Sequence, residues 1–216
     1  MKILVNEMFP TIQGEASFTG APSTFIRLQG CAVGCSWCDT KFTWEKELAD
    51  AITELQMIAK DSETKQYAAM TVDEIINQCK RWLPKHIVIT GGEPFEQDIC
   101  ALTESLIDKG FTVQVETSGT QPTICHSKTW VTVSPKVASE VPLLYSALQR
   151  ANEIKYPIGK ESDILPLLEM QPKIKTRLIW LQPLSQNKKA TAACIDLATR
   201  CGYRVSFQTH KYEGLK

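Results

Sequence analysis

Residues 23–38 read Ser23-Thr-Phe-Ile-Arg-Leu-Gln-Gly30-Cys31-Ala-Val-Gly-Cys35-Ser-Trp-Cys38. The apolar run at 23–28 has the length and the β-branched and aromatic content of a strand, and a glycine ends it. Three cysteines follow within eight residues. A reactive loop just past a strand is where parallel β/α proteins keep their chemistry. The pattern recurs along the chain. Candidate strands at 86–90, 111–116, 130–133, 153–156, 177–181 and 204–208 are short, mostly continuous apolar runs, which suggests burial on both faces. Polar motifs follow them: Thr90-Gly91-Gly92-Glu93, Glu116-Thr117-Ser118-Gly119, Ser134-Pro135-Lys136, Gln182-Pro183-Leu184-Ser185 and Gln208-Thr209-His210.

Helices fill the gaps. Thr71-Val72-Asp73-Glu74 is a capping box, in which the threonine hydroxyl and the glutamate carboxylate satisfy backbone N–H groups at a helix start. That helix is expected to end near Trp82, before Pro84. Others are expected over 97–109, stopped by Gly110; from about Val141; and over 188–201, between Asn187 and Gly202. A helix is also expected over 45–60, and an exposed loop over 61–69. Strand–helix–strand alternation implies a parallel sheet with right-handed crossovers. The strands outnumber the full-length helices, which suits an α/β fold of the modified, partial β/α-barrel type. All the polar motifs would then share one face. With 216 residues, a single domain over 1–216 is the expectation.

Lys plus Arg and Asp plus Glu are 24 each, for a net charge of zero. That argues against a general electrostatic grip on nucleic acid or an anionic membrane. No apolar run approaches the roughly 20 residues that cross a bilayer, and Met1-Lys2-Ile3-Leu4-Val5 is too short for a signal-peptide core. A cytoplasmic location is therefore expected, where the eight cysteines would be thiols or metal ligands.

The Cys-x3-Cys-x2-Cys run can bring three thiolates to one centre. Iron–sulfur clusters are held by such thiolates, usually four. Three would leave one iron open. The alternatives are unrelated core cysteines, or zinc with a distant fourth ligand among Cys79, Cys100, Cys125, Cys194, Cys201, His86, His126 and His210. Cys79, Cys100 and Cys194 fall within expected helices, where a small buried hydrophobe is the simpler role. The run, with Trp37 as the aromatic before the last cysteine, resembles the radical S-adenosylmethionine (SAM) superfamily. Gly91-Gly92-Glu93-Pro94 resembles its GGEP motif. The resemblance implies a 4Fe-4S cluster on Cys31, Cys35 and Cys38, whose open iron takes SAM.

Further motifs narrow the likeness. They are Thr11-Ile12-Gln13-Gly14-Glu15, Phe25-Ile26-Arg27-Leu28-Gln29-Gly30, Cys38-Asp39-Thr40-Lys41, and the strand-end motifs through Tyr212. Together they resemble the 7-carboxy-7-deazaguanine synthases over residues 3–212. These lyases contract the ring of 6-carboxy-5,6,7,8-tetrahydropterin with loss of ammonia, on the route to queuosine in tRNA. The resemblance implies substrate contacts at Ile12, Gln13, Gly14, Arg27 and Thr90. Glu15 suits the pterin edge as an acceptor, and His210 the pocket mouth. It implies SAM contacts at Trp37, Cys38, Asp39, Gly92, Ser134, Pro135, Lys136, Gln182, Pro183, Leu184 and Ser185, with Glu116 a candidate for the ribose. Thr40 would ligate Mg²⁺, with Asp39 as the alternative ligand. Blander roles stand beside these: a salt bridge for Arg27, a cap or exposure for Glu15, a helix cap for Thr40, a solvated charge for Lys136, and an exposed tail for His210. The family implies a homodimer, and the superfamily an electron donor such as flavodoxin. The rival within the superfamily is an activase of a glycyl radical enzyme.

Overall fold

The computed structural model describes residues 2–136, 139–212 and 214. Ten strands are seen among them: β1 (Ile3–Ile12), β2 (Pro22–Leu28), β3 (Ala51–Ile52), β4 (Tyr67–Met70), β5 (His86–Gly91), β6 (Thr112–Thr117), β7 (Trp130–Val133), β8 (Glu153–Ile158), β9 (Ile179–Pro183) and β10 (Arg204–Val205). They form one open sheet in the order β10-β9-β8-β7-β6-β5-β2-β1-β4-β3. From β2 through β10 every neighbouring pair is parallel. At the other edge β1 runs antiparallel to both β2 and β4. The chain is thus an α/β fold with a mostly parallel sheet.

The helices are α1 (Glu54–Ile58), α2 (Val72–Arg81), α3 (Cys100–Asp108), α4 (Tyr145–Arg150), α5 (Ile164–Met170), α6 (Lys188–Cys201) and α7 (Thr209–Tyr212). The capping box forms as expected: Thr71 Oγ1 accepts from Glu74 N, and Glu74 Oε2 accepts from Thr71 N. Asn187 caps α6 through its side-chain oxygen, and Gly202 ends that helix in the left-handed region.

Alternation along the strands separates two environments. Ile87 and Ile89 of β5, Val113 and Val115 of β6, and Ile26 and Leu28 of β2 share an apolar cluster with Ile75, Ile76, Leu102 and Leu106 of α2 and α3. Val131, Val133, Ile154, Tyr156 and Leu181 form a second cluster with Leu148, Leu167, Cys194 and Leu197. Cys79 and Cys194 are buried in these clusters, as packing residues. The opposite face is also buried but polar. His86 bonds Thr112 and Gln114, Gln114 donates to Thr132, and Thr132 donates to Glu153. The segment between β1 and β2 folds over this face. Ser17 and Trp180 donate to Glu153, and Phe18 stacks on His86 with ring centroids 4.2 Å apart. Ala16 N donates to Ser206 Oγ, tying that segment to the chain just past β10.

Several expectations change. The strands are buried on both faces, but one face is largely polar, with Val88 a buried exception, so the apolar reading holds mainly for the helix-covered side. Residues 45–60 are not one helix: only Glu54–Ile58 is α-helical. Gln29, fully buried, donates to the carbonyls of Phe42 and Glu45, and Tyr67 donates to that of Glu47. These bonds hold the backbone away from a helical ladder, and tertiary partners override propensity. The last three residues of the loop expected over 61–69 belong instead to β4 (Tyr67–Met70). The helix expected from Val141 starts at Tyr145, and the one expected from Gln97 starts at Cys100. Gln97 instead bonds Leu4 and the carbonyl of Gln29. The antiparallel strand β1 was not anticipated.

Candidate active site

The carboxyl ends of the parallel strands open on a cavity of about 570 Å³. Cys31, Cys35 and Cys38 line it together, all half-buried. Backbone bonds shape their loop: Cys38 N donates to the Cys35 carbonyl, Cys31 N to that of Trp44, and Glu93 N to that of Gly30. Burial pushes the Cys31 thiol up to about 11, and Glu96 and Glu93 add to the rise. Burial raises the Cys35 thiol too, against the nearby Lys136 ammonium. Iron ligation would therefore release thiol protons. Among the described residues no three His, Cys, Asp or Glu side chains are grouped to hold a metal ion. Three thiols on one loop, facing one cavity, suit a cluster whose irons each take one sulfur.

The two motif glycines are needed for different reasons. Gly91 has φ +125°, and a Cβ there would lie 2.3 Å from Leu28 N. Gly92 has ordinary φ, but a Cβ would lie 2.1 Å from the Gly30 carbonyl oxygen and 3.2 Å from Cys31 Cβ. The GGEP loop and the cysteine loop thus touch backbone to backbone.

Glu93 lines the cavity, yet its carboxylate is claimed by the protein's own donors. It is 1% exposed. It accepts from Thr117 Oγ1 at 2.6 Å, Ser118 N at 2.8 Å and Phe95 N at 3.2 Å. Burial raises its pKa, and these donors pull it back. The carboxylate ties the loop after β5 to the loop after β6.

On the opposite wall, Arg27 donates Nε to Glu7 at 2.6 Å and also lines the cavity. The salt bridge and the ligand-facing role therefore coexist, since a guanidinium carries five N–H donors. Thr90 and Ile12 line the same wall. Gln13 donates Nε2 to Gln114 and to Glu116, and its Oε1 accepts from Glu15 N. Gly14 lies behind the wall. A Cβ there would fall 2.2 Å from His210 Nδ1, and its carbonyl accepts from Thr209 N. His210 lines the cavity half-buried; burial lowers its pKa, against the pull of Glu15.

Glu15 is neither cap nor exposed group. It is ion-paired to Lys155, and Gln208 Nε2 donates to its other oxygen at 2.8 Å. Burial alone would raise its pKa, but Lys155 and Gln208 bring it down to about 2. Lys155 also donates to Glu116 Oε2 at 2.8 Å. Sequence reasoning missed Lys155. The available signal was a lysine at an inward position of a strand read as buried, a placement that requires partners.

Thr40 does not cap the turn that follows it. Its hydroxyl lies 3.5 Å from Cys38 Sγ and 3.4 Å from the Gly91 carbonyl oxygen, on the cavity wall. Asp39 pairs with Lys211 of α7 at 2.9 Å. Against desolvation, this bond and the Lys211 charge hold its carboxyl below the usual range. Trp37, Gly92, Glu116, Ser134, Lys136, Gln182, Pro183, Leu184 and Ser185 all line the cavity, whereas Pro135 does not. Lys136 is no solvated charge: it donates to Ser134 Oγ at 2.7 Å, and burial lowers its pKa, with Lys155 adding to the shift. Ser185 is left-handed at φ 53°.

Residues 25–153 match the model of the Radical SAM superfamily. The chain is 46% identical over 219 aligned positions to a 7-carboxy-7-deazaguanine synthase of Escherichia coli (strain K12), covering 98% of each chain. It is 32% identical to that of Rickettsia prowazekii, covering all of this chain and 89% of the relative. It superposes on the crystal structure of QueE from Escherichia coli with TM-score 0.92 at 44% identity, covering 96% of this chain and 94% of that one. Likeness over nearly the full length of these relatives, in sequence and in backbone, makes the chain a member of the radical SAM superfamily and, within it, of the 7-carboxy-7-deazaguanine synthases.

Proposed function

We propose that the cavity is where this lyase contracts the ring of 6-carboxy-5,6,7,8-tetrahydropterin to 7-carboxy-7-deazaguanine, with loss of ammonia. The observation that carries the assignment to this cavity is that the three cysteines, Gly92, Arg27 and Thr90 all line it. Cys31, Cys35 and Cys38 would hold the 4Fe-4S cluster. Bound there and reduced, the cluster with SAM would supply the radical chemistry that the ring contraction needs.

The chain's own residues bind, orient and exclude water. Gly92 offers backbone to the amino end of SAM, since no side chain could fit there. Trp37 of the cysteine loop flanks the rest, together with Ser134, Lys136 and the 182–185 segment at strand ends. Arg27 takes the substrate carboxylate, because its fork is planar, permanently charged and already oriented by Glu7. Gln13, Glu15 and Glu116 face the pterin edge. Glu116 belongs with the pterin rather than with the SAM ribose, because its carboxylate bonds Gln13 and Lys155.

Thr40 would contribute its hydroxyl to Mg²⁺. The support is that hydroxyl's orientation, away from a capping role and toward the cysteine and glycine loops. Mg²⁺ binds through few protein groups plus water and substrate. Residues 1–216 act as one unit, functioning as a cytoplasmic homodimer reduced by a flavodoxin-like donor.

An anaerobic assay with dithionite, SAM, Mg²⁺ and the pterin tests the assignment. Expected is a product lighter by one ammonia, formed in excess over SAM consumed. SAM cleavage with the pterin intact would return the protein-activating alternative. Iron content undiminished in a Cys31→Ala, Cys35→Ala, Cys38→Ala variant would remove the cluster assignment. Binding of Mn²⁺ as a paramagnetic stand-in, unchanged in Thr40→Val with substrate present, would remove the metal role of Thr40.

A further inference from the structure

Lys155 sits on β8 with its side chain 6% exposed, between a carboxylate from the segment after β1 and another from the end of β6. Its ammonium pairs with Glu15 and donates to Glu116 at 2.8 Å. The arrangement is symmetric. Each carboxylate gives one oxygen to Lys155 and the other to a side-chain amide, Gln208 for Glu15 and Gln13 for Glu116. All three charged groups line the cavity.

We propose that Lys155 is a positioning residue of the substrate subsite, fixing Glu15 and Glu116 as a pair of acceptors for the amino and amide N–H groups of the pterin ring. The proposal rests on the pterin reading given above. Two buried carboxylates at one point repel, and without a cation one of them takes up a proton and stops accepting on that oxygen. With Lys155 between them both remain anionic, and the trio carries one net negative charge. Each carboxylate oxygen has two lone-pair directions, and the internal bonds occupy one apiece. The free directions suit a ligand edge built of neighbouring N–H donors. A buried ion triad is a poor way to gain stability, because desolvation offsets most of the Coulomb attraction. Its position on the cavity wall gives it a use that packing does not.

Steady-state kinetics of Lys155→Met, with iron and SAM loaded, test the proposal. The pterin KM should rise at least about tenfold while the SAM KM moves less than about twofold, the pattern of a lost substrate contact. Unpaired carboxylates will also lower the melting temperature. A second variant, Lys155→Met with Glu116→Gln, removes the repulsion. It should recover most of the melting temperature and keep the raised pterin KM. Lys155→Arg, which keeps the charge, should return the pterin KM to within about threefold of wild type. An unchanged pterin KM in Lys155→Met would overturn the proposal. So would pterin and SAM KM rising together and recovering together in the double variant. If wild type turns over no pterin at all, the underlying reading fails before any variant is made.

Discussion

On β5, Ile87 and Ile89 point toward α2 and α3, while His86 and Thr90 point the other way, into the polar interior. On β8, Ile154, Tyr156 and Ile158 pack under helices, while Glu153 and Lys155 serve the polar side. The same strands therefore carry two surfaces with different physical logic. The outer surface is held by area removed from water, roughly 25 cal/mol per Å² and indifferent to direction. The inner surface is held by directed bonds, each of which fails if a partner is lost. The outer face sets whether the sheet exists. The inner face sets what it can bind.

This contrast is open to attack by substitution. Gly92→Ala should have the largest functional effect. Its Cβ cannot be housed against Gly30 without displacing backbone, so SAM-dependent turnover should fall by about 100-fold or more, with a smaller loss of melting temperature. A mutant that unfolds outright would show that the loop contact also supports the sheet. Ile89→Ala should do the reverse. Its side chain is fully buried in the outer cluster, and truncation should cost about 2–5 kcal/mol in denaturant unfolding. Activity per folded molecule should survive, and its loss would blur the division between faces.

The Glu15 carboxyl is held down to about 2, from an ordinary 4.5. Because the folded pKa is depressed, its stabilisation is present above about 4.5 and is lost as pH falls toward about 2. Stability measured at stepwise lower pH should therefore decline through that window, and Glu15→Gln should flatten the decline. An equal slope in the variant would assign the acid sensitivity elsewhere. The smallest effect belongs to Thr71→Ala at the exposed start of α2. Loss of that cap should cost about 1 kcal/mol by denaturant titration and leave turnover untouched.

Sequence made the outer face plain, since β-branched runs at 86–90, 111–116 and 130–133 demand burial. The strand ends were equally legible, because their glycines and polar groups interrupt such runs. Other elements were hidden for identifiable reasons. β1 includes Asn6, Glu7 and Pro10, a poor strand composition. It tolerates Pro10 because β4 pairs with β1 only at residues 3–5, so beyond them one side of the strand needs no ladder donor. The stretch 45–53 has helix-forming residues, but Gln29 and Tyr67, distant in sequence, claim its carbonyls. In the site, the cysteines and glycines announced themselves by spacing. Lys155 has no motif around it, and its meaning depends on two partners 140 and 39 residues away.

The wall lined by His210 and backed by Gly14 joins the two ends of the chain. Gln208 reaches Glu15 across 193 residues, and Thr209 reaches Gly14 across 195. Closing loops of that length costs chain entropy before any contact repays it. Local strand–helix–strand units close far shorter loops. The expected order is therefore apolar clusters first and pocket wall last, which pulsed hydrogen exchange during refolding would show as later protection at Thr209 than at Ile89. Until that wall closes, the cysteine loop stands beside an incomplete enclosure.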